Sequence, residues 1–251
     1  MGQKITHLRY WAKLICFCVY FLQSAYAHGV ECVVLVHGFG KGRFSMGRFN
    51  SYFIEHGYKT IPVNYASRAY DIKYLAEYEV LPQIEEESSV CSKIHFVGFS
   101  MGGVITRYIL AFHRPDNLGR VVFIGSPHAG TELVDYFGQY KWISNLLGPA
   151  AMDLHSQSQF LNSVPNYVDY TAGVISGNFS LSPLGWVVFS AKESDGTVSV
   201  ESSKIEGMSD HLILKTSHTR LPYSPRVLEE TLYFISKGEF RKAENINSDG
   251  K

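Results

Sequence analysis

Five residues, Gly98-Phe99-Ser100-Met101-Gly102, set one hydroxyl between two glycines. The apolar run Ile94 to Val97 stands just before them. After them Val104, Ile105, Tyr108, Ile109 and Phe112 recur at the spacing of one buried helical face. A strand that turns directly into a helix through such a pentapeptide lifts its serine hydroxyl above the sheet in a strained backbone, and the glycines make room for that turn. The helix N-terminus behind the serine offers unpaired N–H groups to a developing oxyanion. The pentapeptide alone is weak evidence; the strand before it, Gly103 and the helix after it make it specific. The chemistry predicted is attack by Ser100 on an acyl carbonyl.

A serine nucleophile needs a base, and the base needs a carboxylate that fixes its tautomer. In the chain order serine, acid, histidine, the candidates follow Ser100. Asp195 lies in the tight polar turn Ser194-Asp195-Gly196-Thr197-Val198, and His218 directly follows the apolar segment Leu212 to Lys215. His211 is the rival base, but it begins that segment and so falls towards the opposite end of a strand. His37-Gly38-Phe39-Gly40 follows the apolar run Cys32 to Val36. Its glycines allow a turn in which the Phe39 N–H faces the serine and, with the Met101 N–H, forms an oxyanion hole. The alternative is an ordinary glycine-rich turn. His37 is expected to hold this loop by hydrogen bonding, and GFGKG has neither P-loop nor dinucleotide spacing.

These groups need a frame that brings distant segments together. Short apolar runs alternate with helical patterns: strands at Cys32 to Val36, Lys59 to Tyr65, Ile94 to Val97, Arg120 to Ile124, Tyr170 to Ser176 and Leu212 to Lys215. Helices are predicted at Met46 to His56, at Ile72 to Glu87 with an interruption at Pro82, at Gly102 to Phe112 and at Arg226 to Lys237. Strands apolar on both faces and separated by helices imply an α/β fold, with about six mostly parallel strands and helices on both sides. Ligands then bind beyond the carboxyl ends of the strands, where Ser100, the HGFG turn and His218 all fall.

The segments HGFG, GFSMGG, GSPHAGTELVD (Gly125 to Asp135), SDGTVSVESS (Ser194 to Ser203) and SHTRLPYSP (Ser217 to Pro225) together resemble the α/β-hydrolase superfamily, in its bacterial lipase and esterase branch. The resemblance runs from the first strand to the last helix. It implies a compact α/β-hydrolase fold with Ser100, Asp195 and His218 as triad, and the amides of Phe39 and Met101 as oxyanion hole. The implied activity is hydrolysis of carboxylic esters through an acyl-enzyme, without a cofactor or a metal. Against that resemblance the two leading strands of larger members are expected to be absent, and the segment 131–170 is a short candidate cap. A thioesterase or acyltransferase would use the same residues. Dehalogenases and epoxide hydrolases need an aspartate where Ser100 stands. A non-catalytic binding protein would tolerate loss of a motif position, and none is lost.

Within the cap, Trp142, Leu146, Leu147 and Met152 are candidates to line a pocket for an acyl chain, or else simply to pack on the core. The preferred substrate is therefore a lipid-type acyl ester, with short soluble esters as the alternative. Lys4, Arg9 and Lys13 precede the apolar run Leu14 to Leu22, and Ala25-Tyr26-Ala27 gives a small-x-small cleavage pattern. Residues 1–27 are thus expected to be a signal peptide, directing 28–251 to the periplasm or the medium. The run is short of the ~20 residues a spanning helix needs. Cys32 and Cys91 remain after cleavage, each before an apolar segment. A disulfide between them is geometrically open if their strands are neighbours and the Cα atoms come within about 7 Å, with two partly buried free thiols as the alternative.

The 251 residues are 45% apolar and 18% charged, with 23 basic and 23 acidic side chains. That balance argues against nucleic acid or an anionic lipid surface as the main partner. A monomer touching a lipid interface transiently is expected, and the polar tail 241–251 is expected to be disordered.

Overall fold

A computed structural model describes residues 29–181, 183–189 and 192–241; the predicted signal peptide and residues 242–251 of the tail lie outside them. Six parallel strands form one sheet: β1 (Val30–Val36), β2 (Lys59–Pro62), β3 (Cys91–Phe99), β4 (Leu118–Ile124), β5 (Ala172–Gly177) and β6 (Asp210–Leu214), in the order β2-β1-β3-β4-β5-β6. The predicted α/β fold class is the observed one. β3 starts three residues earlier than its apolar core, because Val30 pairs with Cys91 across the sheet. β2 ends at Pro62, which as an edge-strand residue turns its nitrogen away from β1, and beyond it the Val63 amide still donates to the Leu35 carbonyl at 3.2 Å.

Side chains along β1 alternate between two cores. Cys32, Val34 and Val36 join Phe96, Val104, Ile105 and Tyr108 on one face, whereas Val33 and Leu35 join Phe49, Phe53, Val97, Val227 and Phe234 on the other. Burial on both faces explains why these strands read as unbroken apolar runs. Helices α1 (Gly47–Glu55), α2 (72–88) and α3 (Met101–Phe112) follow the first three strands. α2 is not interrupted at Pro82. Helical turns Ile72–Tyr74 and Leu81–Ser88 flank a π-turn, Leu75–Val80, and Pro82 is the second residue of the last stretch. Its missing N–H costs little in a first turn.

Between β4 and β5 the segment 131–170 holds four short helices, α4 (Glu132–Phe137), α5 (Lys141–Leu147), α6 (Pro149–Met152) and α7 (Gln159–Ser163). α8 (Pro183–Val188) and α9 (Val200–Ser203) lie between β5 and β6, and α10 (Pro225–Lys237) closes the fold. Arg241, which the sequence reading put at the start of the tail, is held by the fold. Arg241 is anchored through its amide and guanidinium to Glu230 at 2.9 Å and to Glu229 at 2.9 Å. Among the described residues no helix is long and apolar enough to cross a membrane.

The strand order creates the site. From β1 the chain leaves to one side, to β2; from β3 it leaves to the other, to β4. The carboxyl ends of β1 and β3, paired through Val36 and Gly98, therefore border a crevice that no crossover covers.

Candidate active site

Ser100 caps α3 with φ 55° and ψ −127°, and it is the one non-glycine residue with positive φ among those described. Its amide donates to the Ile124 carbonyl at 2.8 Å, so β4 holds the turn from beside it. The neighbouring glycines are demanded by close approach. A Cβ on Gly98 would lie 2.5 Å from the Gly103 Cα, one on Gly102 2.3 Å from the Val36 oxygen, and one on Gly103 2.0 Å from the Ser126 hydroxyl.

His218, four residues beyond β6, points Nε2 at the Ser100 Oγ at 3.0 Å and Nδ1 at the Asp195 Oδ2 at 2.7 Å. The second carboxylate oxygen, Oδ1, accepts from the amides of Thr197 at 2.9 Å and Val198 at 2.8 Å. The His218 amide also donates to the Asp195 carbonyl at 3.0 Å, which ties the two loops together. Asp195 is buried and His218 is partly open, with the Phe99 ring 5.0 Å from the imidazole. A carboxylate held this way keeps the proton on Nδ1 and leaves Nε2 free to accept one from the hydroxyl.

The HGFG turn packs on the serine: a Cβ on Gly38 would meet the Ser100 Cβ at 3.0 Å. It is fastened from below. The Gly40 amide donates to the Ser67 hydroxyl at 2.9 Å, and the Tyr65 hydroxyl donates to the His37 carbonyl. The His37 ring stacks on Tyr65 at 4.0 Å and hydrogen-bonds the Gly38 carbonyl through Nδ1 at 2.9 Å. Burial lowers its pKa and keeps it neutral. His37 is thus a brace of the turn, as its place in the sequence suggests. His211 is outside the site; its Nε2 meets the Ser176 hydroxyl at 2.8 Å.

The model of the family described as palmitoyl protein thioesterase matches residues 32–173, more than half of the chain. The chain belongs to the palmitoyl protein thioesterase family. No curated protein matches this thioesterase-family chain. Its fold is shared with the mature lipase BlEst2 of Bacillus licheniformis, with TM-score 0.62 and 18% identity over 84% of this chain and 92% of that one. It is shared too with phospholipase PlaB of Legionella pneumophila in complex with thio-NAD, at TM-score 0.65 and 13% identity over 87% and 60%. Lipase B of Aspergillus fumigatus gives TM-score 0.64 and 14% identity over 88% and 55%. These likenesses show the α/β-hydrolase fold. The family makes the chain a thioesterase-type hydrolase.

Two features of the thioesterase-family site lie beyond the sequence reading. Gly125, at φ 54°, sits beside the acid–base pair: a Cβ there would come within 3.2 Å of the Asp195 Oδ2 and 3.3 Å of the His218 Nδ1. Gly177 does the same behind the acid, 2.8 Å from the Asp195 Cβ. Gly177 ends β5 and Gly125 directly follows β4, a signal that was present in the sequence but shared with many turns. The second is the groove itself, a cavity of about 60 Å3 between Phe39, Phe99, Pro222 and Tyr223, with Lys41 and Thr219 at its edge. None of Trp142, Leu146, Leu147 and Met152 lines it. Trp142 and Leu146 are 70% and 65% exposed, Leu147 is half-buried, and Met152 packs against the core. No residue of α5 is fully buried: Trp142 and Leu146 face solvent, and Ile143 and Leu147 are half-buried outside the groove.

Proposed function

We propose that this protein hydrolyses lipid-type acyl esters and thioesters through a covalent acyl-enzyme, with Ser100 as nucleophile, His218 as general base and acid, and Asp195 as the carboxylate that orients the imidazole. The single observation that carries the reading is the unbroken line from carboxylate to imidazole to hydroxyl, at 2.7 and 3.0 Å. As Oγ adds to the carbonyl, Nε2 takes its proton. The amides of Phe39 and Met101 hold the oxyanion, where one donor is worth ~100- to 1000-fold in rate. His218 then protonates the leaving alcohol or thiol. Water, activated by the same imidazole, releases the acid and restores Ser100.

The lipid-type acyl group is supported by the apolar walls Phe39, Phe99, Pro222 and Tyr223 and by the family's palmitoyl description. The groove takes only the reacting carbonyl, since drug-sized ligands occupy ~300 to 1000 Å3; the chain lies along the surface beyond it. Export is part of the proposal, supported by the charge and apolar pattern of residues 1–27 and by the bridged cysteines.

The test is turnover of p-nitrophenyl and thioester substrates from acetyl to palmitoyl, with fluorophosphonate labelling. Ser100→Ala should lose labelling and at least ~1000-fold in kcat while retaining its circular dichroism. A folded Ser100→Ala protein with wild-type turnover, or activity confined to acetyl substrates, overturns the corresponding part.

A further inference from the structure

The equal totals of acidic and basic residues hide a strong asymmetry along the chain. Residues 32–54, 56–70 and 211–228 contain not one Asp or Glu. These three stretches supply the HGFG turn, the segment that fastens it and the His218 loop, so they build one whole side of the groove. Lys41 lines the groove and Arg68 lies 5.2 Å over the Phe39 ring. Arg43 stacks on Phe44, and Arg48 on Tyr223, another groove residue. Arg220 follows His218 by two positions. All five cations are exposed, and among the described residues none of them has a carboxylate partner. Phe44 is 86% exposed and Tyr223 is 46% exposed.

Five cations without carboxylate partners, two of them over the exposed rings of Phe44 and Tyr223 and a third over Phe39, cover more surface than one phosphate could neutralise. We infer that this rim, Lys41, Arg43, Phe44, Arg48, Arg68, Arg220 and Tyr223, docks the groove onto an anionic lipid surface, with the cations at the phosphate layer and Phe44 beneath it. The occupant follows from charge and shape. Basic side chains gather near an anionic membrane face, and aromatic rings settle at its headgroup level. Docking in this pose presents Ser100 to ester groups at the same depth, so the inference rests on the proposed hydrolytic function for its purpose but not for its test.

Ser100→Ala protein, which cannot consume the lipid, is sedimented with vesicles of phosphatidylcholine alone or with about a third phosphatidylglycerol. Binding should be strong only on the anionic vesicles and should fade as salt rises from 50 to 300 mM, because screening acts on exposed charges. Arg43→Glu and Arg220→Glu should each weaken it at least ~5-fold, and Phe44→Ser should weaken it without changing the salt dependence. In a Ser100 background, Arg43→Glu and Arg220→Glu should keep wild-type kcat on soluble p-nitrophenyl butyrate. Equal binding to neutral and anionic vesicles, or binding indifferent to both Arg replacements, overturns the docking surface. Soluble-ester turnover lost only with Ser100 upholds the hydrolytic reading whichever way the vesicles fall.

Discussion

Ser100 is held in a backbone conformation that L-residues avoid, and strain of this kind, ~1 to 3 kcal/mol, persists only where the surroundings enforce it. Here the enforcement comes from three sides: the Ile124 carbonyl on its amide, the Gly38 backbone against its Cβ, and the Gly98–Gly103 contact beneath. Asp195 is positioned with equal care, one oxygen on two amides and the other on the imidazole. Gly125 leaves the space in which that pair meets. Gly125→Ala should therefore lower kcat by ~10- to 100-fold with little change in KM, since displacing a proton-transfer group by a fraction of an ångström has that cost. Steady-state kinetics on one soluble ester would show it; a wild-type kcat would mean the pair has slack. Asp195→Asn should cost ~10,000-fold by permitting the wrong tautomer, measured in the same assay.

At the scale of elements, β1 and β3 have a job at each end. Their carboxyl ends carry the HGFG turn and Ser100. Near their amino ends Cys32 and Cys91 are joined in a disulfide, with Cα atoms 5.6 Å apart and a separation of 59 positions in sequence. Closing a loop of that length removes up to ~4 kcal/mol of chain entropy from the unfolded state. Replacing both cysteines by serine should lower the unfolding free energy by ~2 to 4 kcal/mol in urea, while leaving kcat unchanged because the bridge is at the far end of the sheet. Unaltered stability would mean that the bridge does not form in the folded protein. The connection from β2 to β3 shows a limit of pattern reading. Pro82 reads as a break, yet the π-turn before it places the proline in a fresh first turn, a choice made by packing of Leu75, Ala76 and Val80. The cap is a second case, since Trp142 and Leu146 stand exposed, Ile143 and Leu147 are half-buried, and none of them lines the groove.

Over the whole molecule, the buried histidines set the acid limit. His37 and His128 are buried neutral, each with its pKa lowered by desolvation from 6.5, His128 also by the nearby Arg107 charge. The unfolded chain takes up protons near 6.5 where the fold does not, so its proton count exceeds that of the native state below that value. Their contribution is complete above pH 6.5 and is lost as pH falls from there towards the lowered values, by up to ~1.4 kcal/mol per pH unit for each group. Calorimetry should find a lower Tm at pH 5 than at pH 7.5, and a Tm that did not fall would mean these rings are solvated. The charge balance belongs to this scale as well. A net charge of zero excludes a uniformly basic surface, but it is silent about which side of the groove the charges occupy.

The α/β class, the six strands and the positions of Ser100, Asp195 and His218 were all legible in the residues themselves. Buried parallel strands must be apolar on both faces, and turns at strand ends need glycine or a short polar side chain, so these constraints are local and leave local marks. Which strand lies beside which, how near the glycine turns approach the acid–base pair, where the cap's apolar residues point and how the cations gather on one rim were decided only in three dimensions. Each of those depends on contacts between segments tens to hundreds of residues apart, and short-range spacing carries no record of them.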